Sequence, residues 1–530
     1  MTLERITAVE AKARLQEVLD GRGELAFLDL REAGQYGEGH PFFVVNLPYS
    51  RLERLAPDLL PREETPLLLL DDGDGISERA ARRLEALGYP NLAMIDGGAA
   101  AWEAAGYGLF KGVNLPSKAF GELVEAEMHT PSIPPERLAE WLSSEDPPLV
   151  LDGRSPQEFQ KMAIPGGRSC PNAELPFRLE QLLDRPDRPV VVNCAGRTRS
   201  IIGAQGLINA GFDNPIYALE NGTQGWELAG LSLERGGKAA RLPEPQGPQR
   251  ERARRRAAAY RARFGVPTAD WASLTAWRED PDRSFYLFDV RTVEEFASGH
   301  LPGARHAPGG QLVQATDLWV AVRGARIVLC DDCGLRAAVT AAWLRGMGHD
   351  ARPLDLDVTQ AEELERQTPA AALPPEPGIP VIAPGEISQK GLAGVPLFDF
   401  SSSTAFRAGH PSGARWASRA RLSEVPASAV LTADDPWNAS LAALDLAEEG
   451  RAAQAVVLGS RSEWEAAGYG TVATPKVPSD AESIDYLFFV HDRHDGNLEA
   501  ARQYLAWETG LLDRMDESEK AVLRPPKPVA

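Results

Sequence analysis

The chain alternates short apolar runs, each closed by an acid, with longer segments whose apolar residues recur at helical spacing. The runs stand in "LAFLDLREAGQYGEGH", "LVLDGRSPQEF", "YLFDVRTVEEFASGHLPGA" and "PLFDFSSSTAFRAGHPSGA". Rich in Leu, Val and Phe and bounded by turn residues, they predict buried strands, and their alternation with amphipathic helices predicts parallel sheets wrapped by helices. Ligands of such sheets bind beyond the carboxyl ends of the strands.

Two landmarks then reveal a repeat. An acid ends a strand at Asp29, Asp152, Asp289 and Asp399, and a glycine closes a helix at Gly88, Gly211, Gly348 and Gly450. Acid and glycine lie 59 residues apart in the first three copies and 51 in the fourth. Four tandem copies of one small α/β domain are expected, the last of them trimmed. Their expected bounds are 1–112, 128–236, 262–368 and 378–476, with a C-terminal helical tail over 477–530. The stretches "KGVNLPSKAFGELVEAEMHTPSIPP", "LPEPQGPQRERARRRAAAYRARFGVP" and "TPAAALPPEPGIP" are expected to be linkers. The tail, with a helix capped by Asp495 or Asn497, is expected to dock back on a domain.

Composition narrows the function. At 530 residues the chain is too long for one core, and with 43% hydrophobic and 25% charged residues it matches globular proteins. No apolar run reaches the roughly 18 residues of a membrane span, and the N-terminus lacks the apolar core of an export signal. Four cysteines, at 170, 194, 330 and 333, are too few to staple a chain of this size, so a reducing, cytoplasmic setting is expected. The net charge of −20 argues against nucleic-acid and anionic-membrane partners. The basic run "RERARRR" is accordingly read as a solvated linker helix pairing with acidic domain faces.

The ordered motifs carry a resemblance. "DVRTVEEFASGHLPGA", "NCAGRTRS" and "IDGGAAAWEAAGY", the last with echoes in "LENGTQGWELAG" and "VLGSRSEWEAAGYG", resemble the rhodanese family of sulfurtransferases over residues 1 to about 476. Two departures stand out: the second copy reads "MAIPGG" where the family favours Gly-His before the Pro, and the third has "LDLDVTQAEEL" in place of the Gly-Trp motif. The resemblance implies four rhodanese-like domains. It also implies an enzyme that takes sulfur from thiosulfate or a similar donor onto a cysteine as a persulfide, then passes it to a thiol or cyanide.

Cys194 lies 17 residues before Gly211; the same step from the other closing glycines reaches Asp71, Asp331 and Ala433. Only the second copy therefore carries the thiol. Cys194 stands between an apolar strand and a helix, where free amide groups and nearby arginines favour a thiolate. Ala195, Gly196, Arg197, Thr198, Arg199 and Ser200 are the expected cradle for an anionic donor. No cofactor and no metal is expected. Thiosulfate is preferred over mercaptopyruvate, whose relatives carry a "CG(S/T)GVT" loop.

Competing readings remain open at this stage. A persulfide carrier or docking scaffold, with a protein as sulfur acceptor, fits the three copies without cysteine. A cysteine phosphatase of this fold type needs Arg six positions after the Cys, where Ser200 stands. Asp152 and Arg154, echoed by Asp29/Arg31 and Asp289/Arg291, are read as a structural ion pair. Arg178 is read as a solvated helix charge and Cys170 as a semi-buried loop thiol. Cys330 and Cys333 form a lone CxxC, weak as a redox or zinc motif, and His491 and His494 are read as a polar turn before the last helix.

Overall fold

A computed structural model describes residues 3–361, 364–366 and 373–529. Four largely parallel sheets account for the apolar runs. In the first, strands run in the order Glu4–Ile6, Leu92–Ile95, Leu67–Leu70, Leu25–Asp29, with Val45–Asn46 also on the last. The second follows the same chain order with Ser132–Ile133, Ile216–Leu219, Val190–Asn193, Leu149–Asp152 and Arg168–Ser169. The fourth repeats it with Val381–Ile382, Ala455–Val457, Val430–Thr432, Leu397–Asp399 and Arg415–Trp416. The third keeps Asp350–Asp357, Arg326–Asp331, Phe285–Asp289 and Arg305–His306; a single parallel bridge from Ala269 to Leu354 stands where the first strand would be.

The acid that ends each long strand has a local task. Arg154 donates to both oxygens of Asp152 at 2.9 and 2.7 Å and to the Met162 carbonyl at 2.6 Å. Arg31 on Asp29 with the Gly39 carbonyl, and Arg291 on Asp289 with the Gly299 carbonyl, repeat this geometry. Because the third partner is a backbone carbonyl, "MAIPGG" supplies it as well as the glycine copies do. The Gly-His pairs act through the ring: His40, His300 and His410 stack on Tyr36, Phe296 and Phe406 with centroids 3.6 to 3.8 Å apart.

Packing corrects two of the expected linkers. "LPSKAFGELVEAEM" is the helix Leu115–Met128, with Leu115, Ala119, Phe120 and Val124 buried, and it packs on the helix Thr198–Asn209. "PQRERARRRAAAYRARF" is the helix Pro248–Phe264, which buries Ala253, Ala257, Tyr260 and Phe264 while Arg252 and Arg256 meet Glu180. Each has one apolar stripe, and burying that stripe outweighs the polar composition that suggested a linker. Of "TPAAALPPEPGIP", residues 368–372 lie outside the described residues.

The first sheet, one face each of the second and third, and the tail residues Leu511, Met515 and Leu523 share one continuous core; the other faces of the second and third sheets have separate cores, as does the fourth sheet. The edge strand Val322–Arg323 even joins the first sheet, antiparallel to Leu25–Asp29. The fourth unit is fastened to the first by ions: Arg419 binds Glu53 and Asp445, and Asp445 also accepts from Tyr49 and Arg83. Arg178 is another correction. It is buried, not solvated, bonding Glu174 at 2.8 Å and Glu295 at 2.7 Å where the second and third units meet. Among the described residues no helix is long and apolar enough to cross a membrane.

Candidate active site

Cys194 follows the buried strand Val190–Asn193 and precedes the helix Thr198–Asn209. Asn193 anchors the corner by donating to Asp152 at 2.9 Å. The turn that opens "NGTQGW" then takes up the loop's carbonyls. Thr223 N donates to Cys194 O at 2.8 Å, and Gln224 N to Ala195 O at 3.1 Å. The close approach needs a glycine, since Gly222 has φ +53° and a Cβ there would stand 2.3 Å from Cys194 O. With its carbonyls turned toward this glycine turn, the loop keeps its amides for the other side.

The sister loops show what such a cradle holds. In the first unit the Asp71 carboxylate accepts from Gly73 N and Ser77 N, both at 2.9 Å. In the third, Asp331 accepts from the amides of Cys333, Arg336 and Ala337. The first and third copies thus place an amide-bound carboxyl group where the second places a thiol.

Cys194 is 2% exposed, yet it lines a cavity of about 350 Å³. Ser200 Oγ donates to its sulfur at 3.1 Å. Ala195, Gly196, Arg197, Thr198 and Arg199 line the same cavity. The two arginines expected in the donor cradle are both paired with acids. Arg197 bonds Glu122 at 2.7 and 2.9 Å and also Glu125, and Arg199 grips Glu158 through two bonds of 2.7 Å. Burial opposes ionisation of Glu158, but the bonds and charge of Arg199, with Arg154, outweigh it and hold that carboxyl down to about 2.

Sequence reasoning missed the outer wall. The tail docks, as expected, but its helix Leu498–Thr509, capped by Asn497, lies over the cysteine loop. Thr198 Oγ1 donates to Glu508 Oε1 at 2.6 Å, and Lys118 Nζ lies 3.5 Å from the same carboxylate. Burial raises the Glu508 carboxyl, but Lys118 and Thr198 more than offset this and keep it ionised. Arg493, His494, Tyr504 and Trp507 complete the wall. Burial, then the charges of Arg493 and Arg154, push His494 down to about 3, so its imidazole is neutral. The polar pattern "VHDRHDG" forms the expected turn before this helix and is the signal in the residues for the wall.

The other thiols do not line this cavity. Cys170 and Cys330 are fully buried, Cys333 nearly so, and burial pushes all three thiols up. Cys170 is thus buried and not semi-buried. Asp331, Asp332 and Cys333 come within 4.8 Å of one another, but Asp331 is held by amides, and Asp332 by Arg336 at 2.6 Å and Arg250 at 2.8 Å.

The rhodanese-like domain family model matches residues 9–105, 134–229 and 268–360. The chain belongs to the rhodanese-like family. It is similar over 98% of its length to the crystal structure of a thiosulfate sulfurtransferase from Pseudomonas aeruginosa, at 41% identity with a TM-score of 0.89, covering 99% of that chain. A thiosulfate sulfurtransferase from Azotobacter vinelandii is 27% identical over 33% of this chain and 79% of that protein. The thiosulfate sulfurtransferase GlpE of Pseudoalteromonas translucida is 31% identical over 17% of this chain and 82% of its own. This rhodanese-like chain is a thiosulfate sulfurtransferase-like enzyme.

Proposed function

We propose that the protein transfers sulfane sulfur from thiosulfate to a thiol or cyanide through a persulfide on Cys194. The Cys194 thiolate attacks the outer sulfur of thiosulfate, the S–S bond breaks, and sulfite leaves with the electron pair. An acceptor thiolate then attacks the outer sulfur of the persulfide and returns Cys194 to thiolate in a ping-pong cycle. The observation that carries this reading is Cys194 in the cavity wall, its sulfur hydrogen-bonded by Ser200, in a loop whose first and third copies hold a carboxyl group at the same position. The amides of Ala195, Gly196, Arg197 and Arg199 are the proposed oxyanion cradle; Thr198 N is turned to Glu508, and Ser200 N to the Arg197 carbonyl at 3.0 Å. Arg197 and Arg199 line the cradle, held in place and neutralised by Glu122, Glu125 and Glu158.

We assign four rhodanese-like domains with the bounds 1–112, 128–236, 262–368 and 378–476. The shared strand order of the four sheets supports this, although the family model matches three regions. The tail that closes the cavity favours small donors over the docking-scaffold reading. Four free cysteines fit a reducing, cytoplasmic setting. Intact-mass analysis after thiosulfate treatment tests the mechanism: one added sulfur is expected, absent from Cys194→Ser. Labelling at Cys330 or Cys333 instead overturns it.

A further inference from the structure

Gln224 grips the cysteine loop twice. Its backbone N and its side-chain Nε2 both donate to Ala195 O, each at 3.1 Å, and Thr223 Oγ1 lies 3.4 Å from the same oxygen. The two bonds from Gln224 fill both lone pairs of that carbonyl, so the Ala195–Gly196 peptide is held from one side. This peptide is trans, and its N–H therefore points opposite to its carbonyl, away from the turn. The flanking carbonyls stand on the same side: Cys194 O accepts from Thr223 N, and Gly196 O lies 2.8 Å from where a Cβ on Gly222 would stand. Gln224 and Gly196 both line the cavity with Cys194.

The first unit isolates what the side chain adds. Two positions before Trp226 stands Gln224; two before Trp102, in the same turn of the first unit, stands Ala100. The first unit makes its turn without a side-chain amide, since Ala99 N donates to Asp71 O at 2.8 Å just as Thr223 N donates to Cys194 O. In the fourth unit the matching place before Trp464 is Ser462, which is exposed, and the third has no Gly-Trp motif. The turn does not need the amide, and the copy that has the amide is the copy that has the thiol. Gln224 is 1% exposed and its Oε1 has no hydrogen-bond partner, so its burial carries a cost that Ala100 avoids.

We propose that Gln224 is a positioning residue for sulfur transfer: by holding Ala195 O on the turn, its side-chain amide keeps the Gly196 N–H presented to the anionic end of the donor. It acts through one peptide group rather than on the reacting sulfur. When Cys194 attacks the outer sulfur of thiosulfate and the S–S bond breaks, the electron pair departs on sulfite, so negative charge grows at the end that the Gly196 amide faces.

This rests on the persulfide mechanism proposed above, and the test separates the two. Full-length Gln224→Ala, which reproduces what the first unit carries, is compared with wild type in two reactions. One is single-turnover loading from thiosulfate; the other is alkylation by iodoacetamide, a neutral reagent, followed at Cys194 by peptide mass spectrometry. Loading should slow about tenfold, the worth of one hydrogen bond, while alkylation stays within about twofold. Gln224→Glu supplies a readout that packing alone would not move. Its carboxylate has no proton for Ala195 O, whereas its carboxylic acid donates as the amide does. Loading relative to wild type should therefore rise as pH is lowered from about 8 to about 5.5, while the Gln224→Ala ratio stays flat. Equal losses in loading and alkylation, loading by Gln224→Ala at the wild-type rate, or a flat Gln224→Glu ratio overturns the positioning role and spares the mechanism. Failure of the wild-type protein to take sulfur onto Cys194 overturns both.

Discussion

Glu508 and Thr198 stand 310 residues apart in the chain and share a hydrogen bond of 2.6 Å, which seats the last long helix on the first turn of the helix behind Cys194. The cysteine loop of the second unit is therefore covered by the tail through contacts that neither segment makes alone.

The Ser200 hydroxyl is the direct side-chain donor to the Cys194 sulfur. A hydrogen bond to a charged group contributes about 1.5–3 kcal/mol. Ser200→Ala should therefore slow persulfide formation roughly 10- to 100-fold in stopped-flow single turnovers with thiosulfate. An unchanged rate would remove this contact from the mechanism.

Gly222 holds φ +53° with Cys194 O in the space of a side chain. Gly222→Ala must displace the loop, and misplacement by about 1 Å can cost about 100-fold in rate. Sulfur transfer should fall by about that factor while far-ultraviolet circular dichroism stays native, because the displaced segment is a turn.

Arg336 is fully buried between the second and third units, bonded to Glu174, Glu295 and Asp332. Removing one member of such a network leaves uncompensated charge in the interior. Arg336→Met should destabilise by about 3–5 kcal/mol in urea unfolding. Replacing Arg336, Glu174 and Glu295 together by apolar residues of similar volume should recover part of that loss.

His494 is held neutral, with its folded value lowered to about 3 from the ordinary 6.5. Its contribution is complete above pH 6.5 and is lost as pH falls toward 3, because the unfolded chain takes up a proton that the folded one refuses. His494→Gln should remove up to one proton from the acid dependence, about 1.4 kcal/mol for each pH unit in that window. Urea midpoints of both proteins between pH 6.5 and 4 check this. Parallel curves would show that the imidazole is not buried in solution.

Much of the molecule is legible in the residues because its features are local. The strand-ending acids, the closing glycines and Cys194 in its corner lie at fixed spacings, and the Asp–Arg pairs close over two residues. Amphipathic segments such as Leu115–Met128 were misjudged because Pro, Lys and Glu suggest a linker until a neighbouring helix takes up their apolar stripe. Arg178 was misjudged for a similar reason, since its partner Glu295 belongs to another unit.

The sequence by itself determined the repeated α/β unit and the place of Cys194 in the corner between a strand and a helix, since strand, loop and helix are encoded by neighbours along the chain. Tertiary structure alone decided that Arg197 and Arg199 are held by Glu122, Glu125 and Glu158, and that Arg493, His494, Trp507 and Glu508 wall the cavity. The physical reason is that charge pairing and pocket shape depend on distance in space, and burial of a shared core brings together groups that no spacing along the chain relates.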